Sequence, residues 1–160
     1  APHAARAAET STFPAESIQA LGEAGLLGLT IPAELGGLGQ GPRVVAAVVE
    51  EVSRHCSSTA MIYMMHLCGV ACYLAAPRRP EDALRAAAAG KHLSTLAFSE
   101  KGSRSHFWAP VSKAVRVDEN RVSVSAEKSW VTSASRADGI AVSTGWDAGT
   151  EPTQSMIYLV

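Results

Sequence analysis

The chain has 160 residues, of which 47% are hydrophobic and 18% charged, and its formal net charge is -1. This composition is typical of a folded domain with a buried core and argues against a disordered chain. Because no basic stripe with interleaved aromatic residues is present, we expect no nucleic-acid partner. Cys56, Cys68 and Cys72 form a poor disulfide framework and are typical of a reducing compartment, so we expect a cytoplasmic protein.

Residues 1–91 predict an α-helical domain. A first helix opens at Phe13-Pro14-Ala15-Glu16 and runs to about Gly25, since proline is tolerated in a first turn and glutamate favours the positive end of the helix dipole. A second helix is predicted from Pro42 to His55, where five valines fall on one face.

Two further helices complete this bundle. The stretch from Ala60 to Ala76 is apolar except for His66, and it falls short of the roughly 20 residues that a bilayer requires. A helix that is apolar on all sides is usually the buried centre of a bundle, so we expect no membrane partner. The last helix begins at Pro80 and ends at Gly90.

Residues 92–160 predict a β-domain, because short segments rich in Val, Ser and Thr alternate with turn signals. The predicted strands are Leu93 to Ser99, Val111 to Val117, Arg121 to Ser125, Ser129 to Ser133, Ile140 to Thr144 and Met156 to Val160. We expect an incomplete antiparallel barrel or sandwich, and hence an α+β fold. No turn residue closes the last segment, so we expect a truncated β-domain from a longer protein.

Two segments of the β-domain carry the candidate chemistry. In Glu127-Lys128-Ser129-Trp130-Val131-Thr132-Ser133, a tryptophan and a threonine stand two positions apart, which in a strand places both side chains on one face. A flat ring beside a hydroxyl suits a tricyclic flavin, which needs an aromatic wall and short polar groups at its edge. The alternative for Trp130 is a buried core aromatic.

These segments, together with Leu96 to Ser105 and the phrase Gly28-Leu29-Thr30-Ile31-Pro32-Ala33-Glu34-Leu35-Gly36-Gly37-Leu38-Gly39, resemble the acyl-CoA dehydrogenase superfamily over nearly the whole chain. The resemblance implies FAD as the cofactor, an acyl-CoA or related small molecule as the substrate, an external electron acceptor and a homo-oligomer. The implied reaction, in fatty acid metabolism, removes an α proton and transfers the β hydrogen to flavin N5 as hydride. The family's glutamate base lies in a carboxy-terminal domain, so no base is assigned, and we expect this chain alone to be inactive.

The resemblance also implies roles for individual residues. Phe98 would offer backbone groups to the flavin pyrimidine edge, and Ser99 would add a hydroxyl in the same region. Trp130 would flank the isoalloxazine ring, and Thr132 would approach N5. On the substrate side, Leu96 would lie near the acyl chain.

The substrate-facing loop departs from the family pattern at Lys101, Arg104 and His106, which replace Pro, Gly and Asp. Ser105 retains the family serine that touches the thioester-side part of coenzyme A. Arg104 is assigned with it to substrate binding, because charged donors pair strongly with phosphate. The other interpretation of these basic side chains is a solvated loop face.

Three hypotheses follow. The first is the dehydrogenase, the second a flavin-dependent monooxygenase of the same fold, and the third a non-catalytic truncated subunit. A metal site is not expected, since His66 does not share a helix face with Cys68 and Cys72 and no second pair of ligands appears.

Overall fold

The computed structural model describes residues 9–10, 12–103, 106, 108–146 and 154–160. Within them, four complete α-helices precede five strands, which confirms the predicted α+β class. The helices are α1 (Ala15–Glu23), α2 (Pro42–His55), α3 (Ser57–Ala75) and α4 (Glu81–Ala88). The strands are β1 (Ser94–Ala97), β2 (Lys113–Arg116), β3 (Val122–Val124), β4 (Gly139–Trp146) and β5 (Ser155–Leu159).

The helix ends follow local chemistry. Glu16 lies in the first turn of α1, and Pro42 occupies the start of α2, where its missing N–H costs nothing. Gly90 follows α4 with a φ of +74°, the left-handed conformation that glycine adopts most readily. Two short 3-10 turns, Leu26–Gly28 and Ala33–Leu35, connect α1 to α2.

Helix α3 is the centre of the helical layer. It has 19 residues and is long and apolar enough to cross a membrane by length and composition. In the fold, however, Tyr63, His66 and Val70 on this helix are completely buried. Its side chains enter three apolar clusters, in which they meet residues of the other helices, the 3-10 turns and the sheet. Helix α3 therefore behaves as the core helix that its composition predicts.

The sheet is mixed. Its strand order is β1-β4-β2-β3, with β5 also paired to β4. The pairs β2–β3 and β4–β5 are antiparallel, whereas β1 and β2 both run parallel to β4. This corrects the expectation that all strands run antiparallel. The chain reverses direction in the long connection between β3 and β4, so β4 runs parallel to β1 and β2. The sequence does not show this, because side-chain alternation is the same in parallel and antiparallel strands.

Two strands, β1 and β2, pair one after the other along the same edge of β4. Strand β1 pairs with Gly139 to Val142, and β2 pairs with Gly145 and Trp146. Strand β5 pairs with Ala141 to Gly145 along the opposite edge. Ser143 and Thr144 therefore lie at a break in the ladder between β1 and β2, close to the point where β1 ends.

Candidate functional site

The residues predicted to face a flavin come together where β1 ends. The Ser129 N–H donates a hydrogen bond of 2.9 Å to the Ser99 carbonyl oxygen. The Thr95 hydroxyl donates one of 2.6 Å to the Thr132 carbonyl oxygen. These two bonds place the segment around Trp130 alongside the end of β1, although 37 positions separate Thr95 from Thr132.

The prediction of a strand from Ser129 to Ser133 is wrong. Lys128 makes an isolated bridge with Glu100, and a turn covers residues 132–136. Trp130 has a φ of +59° and Ser133 one of +61°, which a strand cannot accommodate. The alternation of side chains along a strand therefore does not apply here. The hydrogen bonds from β1 place the segment instead.

The Trp130 side chain is uncovered. It is 94% exposed, so the interpretation of Trp130 as a core aromatic is wrong. Phe98, Ser99 and Thr132 are half-buried nearby. A bare aromatic ring beside hydroxyls and main-chain groups has the chemistry that a flavin needs, namely an apolar ring surface with a hydrogen-bonding edge. The residues present therefore fit a flavin.

A buried ion pair lies under this wall. Lys128 Nζ is 2.7 Å from Glu100 Oε1, and the two side chains are only 7% and 3% exposed. Burial opposes ionisation of Glu100, but hydrogen bonds from Lys128, Ser112 and Val111 outweigh it and hold the pKa of this carboxyl below its usual range. A catalytic base that works near neutral pH needs a raised pKa, so Glu100 is not suited to that role.

A groove of about 480 Å³ adjoins Thr132. Its lining residues come from the start of α3, the turn after Trp130 and the chain before α1, and are Phe13, Ser57, Ser58, Met61, Ile62, Thr132 and Ser133. Met61 is 56% exposed, and the Ser133 hydroxyl is buried with no hydrogen-bond partner among the described residues. Sequence reasoning missed the α3 residues, although the methionines within this apolar helix were a usable signal.

The substrate-side predictions are placed less completely. Leu96 lies in β1, half-buried and paired with Ala141, and is not among the residues that line the groove. Arg104 and Ser105 lie outside the described residues. In the same loop Lys101 is exposed, and the rings of His106 and Trp108 stack with centroids 5.0 Å apart.

Comparisons with known proteins agree with this architecture. Residues 1–79 match the family described as acyl-CoA dehydrogenase, N-terminal domain. The probable acyl-CoA dehydrogenase YngJ of Bacillus subtilis is 31% identical over 145 residues, covering 89% of this chain and 38% of that protein. The bovine mitochondrial short-chain specific acyl-CoA dehydrogenase is 28% identical over 162 residues, covering 99% of this chain and 39% of that protein.

Solved structures share the fold. An acyl-CoA dehydrogenase from Geobacillus kaustophilus superposes with a TM-score of 0.84 at 22% identity, over 99% of this chain and 43% of that one. The chain thus spans about two fifths of the length of these relatives. The chain belongs to the acyl-CoA dehydrogenase superfamily, which confirms the resemblance drawn from its motifs.

Proposed function

We propose that the chain supplies the FAD-facing wall of an acyl-CoA dehydrogenase that oxidises an acyl thioester between its α and β carbons. The observation that carries this proposal is the uncovered ring of Trp130, which is 94% exposed and tethered beside Ser99 and Thr132. The acyl-CoA dehydrogenases that the chain resembles are FAD-dependent flavoproteins. A cofactor of that class would cover the ring and use the polar groups beside it.

Each residue of the wall has a defined task in this proposal. The main chain at Phe98 and the hydroxyl of Ser99 would hold the pyrimidine edge of the flavin, while Trp130 would cover the ring system. Thr132 would approach N5. When bound, FAD supplies the two-electron acceptor that takes the β hydrogen as hydride. The lowered pKa of Glu100 leaves that residue as a structural group, and none of the described residues is assigned as the base.

The groove beside Thr132 suits the acyl portion of a substrate. Met61 and Ile62 give it an apolar floor. Leu96 does not line this groove, and its proposed place near the acyl chain rests on the family resemblance alone. We extend the proposal to a coenzyme A thioester held by Arg104 and Ser105, an external electron acceptor, a role in fatty acid metabolism, a homo-oligomeric assembly and a cytoplasmic location.

The test is an anaerobic titration. Protein that includes the carboxy-terminal domain expected to carry the base is purified and loaded with FAD, and acyl-CoA thioesters of increasing chain length are added while the flavin absorption is recorded. Bleaching by an acyl-CoA, reversed by an electron acceptor, is the expected result. Stable flavin binding with no bleaching by any thioester would overturn the proposed dehydrogenase activity, but it would still support the proposed flavin site. Colourless protein that takes up no FAD would support the non-catalytic subunit instead.

A second candidate, the flavin-dependent monooxygenase, is favoured by the substrate-side loop. Lys101 and His106 replace the family's proline and aspartate, and the His106 ring is stacked on Trp108. In the same titration this candidate predicts no bleaching by acyl-CoA, and oxygen uptake only after a reductase has reduced the flavin.

A further inference from the structure

The ion pair between Glu100 and Lys128 is built differently from the other charge pairs of the described residues. The side chains of Glu100 and Lys128 are 3% and 7% exposed, whereas both side chains of the Arg121–Asp118 pair, for example, are 41% or more exposed. Burying two charges is costly, and an apolar pair of similar volume often serves stability equally well. The retention of a buried pair at this place is better explained by the geometry it imposes.

The lysine reaches the break in the β4 ladder. Besides Glu100, Lys128 Nζ donates to the carbonyl oxygen of Ser143, and it lies 3.4 Å from the Ser143 hydroxyl. Ser143 is at the position between β1 and β2 where the edge of β4 has no paired strand. The ammonium group thus takes the place of a neighbouring strand and ties residue 128 to the centre of the sheet.

The same ammonium group lies 3.5 Å from the Phe98 carbonyl oxygen. Phe98 is the residue whose main chain is proposed to meet the pyrimidine edge of the flavin. Lys128 therefore contacts one flavin-facing segment directly while belonging to the other.

Glu100 binds a third segment, the loop before β2. Its carboxylate accepts hydrogen bonds from the main-chain N–H groups of Val111 and Ser112 and from the Ser112 hydroxyl. The end of β1, the loop before β2, the Lys128 segment and β4 therefore all meet at one ion pair. Charge-assisted hydrogen bonds of this kind fix geometry more tightly than neutral ones.

Trp130 has little packing to hold it in place. Its side chain is 94% exposed and its backbone is left-handed, so its position is set by the residues before and after it. Lys128 lies two positions before Trp130, and Glu100 lies two positions after Phe98. Each member of the ion pair is thus adjacent to one half of the proposed flavin wall.

We propose that Glu100 and Lys128 are positioning residues for the flavin: their ion pair holds the Phe98 and Trp130 segments at a fixed separation that matches the cofactor. This inference rests on the proposed FAD site. Neither residue is placed in contact with the reacting atoms.

The test uses Glu100→Gln, Lys128→Met and the double variant Glu100→Gln/Lys128→Met. The single variants each leave one buried charge without its partner, whereas the double variant removes both charges and should fold with a thermal midpoint close to that of the unmodified protein. We expect FAD to bind about tenfold more weakly, or worse, in all three, with a shifted flavin absorption spectrum. Asp118→Asn breaks the exposed pair with Arg121 and is the matched control, with unchanged FAD affinity and spectrum.

A readout without cofactor separates this inference from the proposed function. In FAD-free protein, hydrogen exchange at the Ser129 amide, which bonds to Ser99, should become faster in the double variant while the α3 amides stay protected. A double variant with normal Ser129 protection would overturn the inference, as would one that binds FAD within twofold of the unmodified protein with an unchanged spectrum. If the unmodified protein binds no FAD, the proposed function fails, and Ser129 exchange still decides whether the pair orders the segment.

Discussion

The Thr95 hydroxyl donates a hydrogen bond of 2.6 Å to the main-chain carbonyl oxygen of Thr132. Thr95 is only 1% exposed, so water cannot replace this donor. The bond attaches the turn after Trp130 to β1, and it does so from the face of the strand that is turned away from solvent. The geometry of the candidate site therefore depends on a side chain that sequence reasoning did not select.

Thr95→Val tests this attachment. Valine has nearly the same shape, but it leaves the Thr132 carbonyl without its donor, so we expect a loss of about 1–2 kcal/mol in the free energy of unfolding. FAD affinity should fall as well, because the turn is no longer held. Urea unfolding and FAD titration measure the two effects. The control is Thr30→Val, which removes a buried hydroxyl that has no partner among the described residues and should change stability little. Equal losses in the two variants would contradict the assignment.

Trp130→Asn separates the fold from the site. Asparagine tolerates the left-handed backbone at φ +59°, and replacing a 94% exposed ring removes almost no packing. We expect the thermal midpoint to stay the same or rise, while FAD affinity falls by about tenfold or more because one ring contact is lost. The same change at Trp146, in β4 and under Arg116, should lower the midpoint instead. Undiminished FAD binding by Trp130→Asn would remove Trp130 from the site.

His66 makes stability depend on pH. The buried ring accepts from the Ser94 N–H at Nδ1, 3.0 Å away, and therefore donates from Nε2 to the Leu27 carbonyl oxygen at 2.8 Å as a neutral tautomer. Burial lowers the pKa of His66 to about 4, although the bond to Leu27 opposes this shift. Above pH 6.5, the ordinary histidine pKa, the ring is neutral in both folded and unfolded chains, and its full contribution is present.

As the pH falls from 6.5 toward 4, the unfolded chain takes up the proton first. We expect the free energy of unfolding to decrease over this range by about 3 kcal/mol on account of His66. Burial also lowers the pKa of His92, which adds in the same direction. In urea unfolding at several pH values, the slope of the unfolding free energy against pH should be shallower for His66→Gln than for the unmodified protein. A slope unchanged by His66→Gln would show that other groups cause the loss.

Gly139 is fixed by a close approach to Tyr73. A Cβ atom at this position would lie 2.2 Å from the Tyr73 hydroxyl oxygen. Tyr73 is only 3% exposed and its hydroxyl lies 3.2 Å from His92 Nε2, so the ring has little room to move. Gly139→Ala should therefore cost about 1–3 kcal/mol of unfolding free energy.

The double variant Gly139→Ala/Tyr73→Phe checks the cause, because it removes the oxygen that the new methyl group would meet. It should be more stable than the sum of the two single effects predicts. Strict additivity would indicate that the His92 ring, whose nearest atoms would lie 3.1 Å from the new Cβ, and not the tyrosine, makes alanine unfavourable.

The helices and most strands follow from sequence periodicity. The bounds predicted for α2, Pro42 to His55, are those observed, because proline starts the helix and the valine pattern persists to its end. The prediction of a strand from Ser129 to Ser133 was wrong because Ser-Trp-Val-Thr-Ser alternates like a strand. No glycine or asparagine stands at Trp130 or Ser133 to indicate their left-handed backbone. Strand direction could not be predicted from the sequence either, because it depends on the path of the connections between strands and not on the local pattern of side chains.

The contacts that bring the candidate site together were not predictable from the sequence. Phe98, Ser99, Trp130 and Thr132 were selected through a family resemblance, and their roles at a flavin stay predictions. The ion pair beneath them joins residues 28 positions apart. Nothing in the local sequence distinguishes Glu100 and Lys128 from the other charged residues of turns, since their pairing depends on the break in the β4 ladder.

The shared edge of β4 also has a consequence for folding. Each strand on that edge closes a long loop: Leu93 and Asp138, which bond to each other where β1 meets β4, are 45 positions apart. Pairings of such high contact order incur their loop-closure entropy before they gain any contact energy, so they form slowly. We therefore expect the helices to form early and the wall around Trp130 to be assembled in the last stage of folding, when a newly made chain still exposes unpaired strand edges.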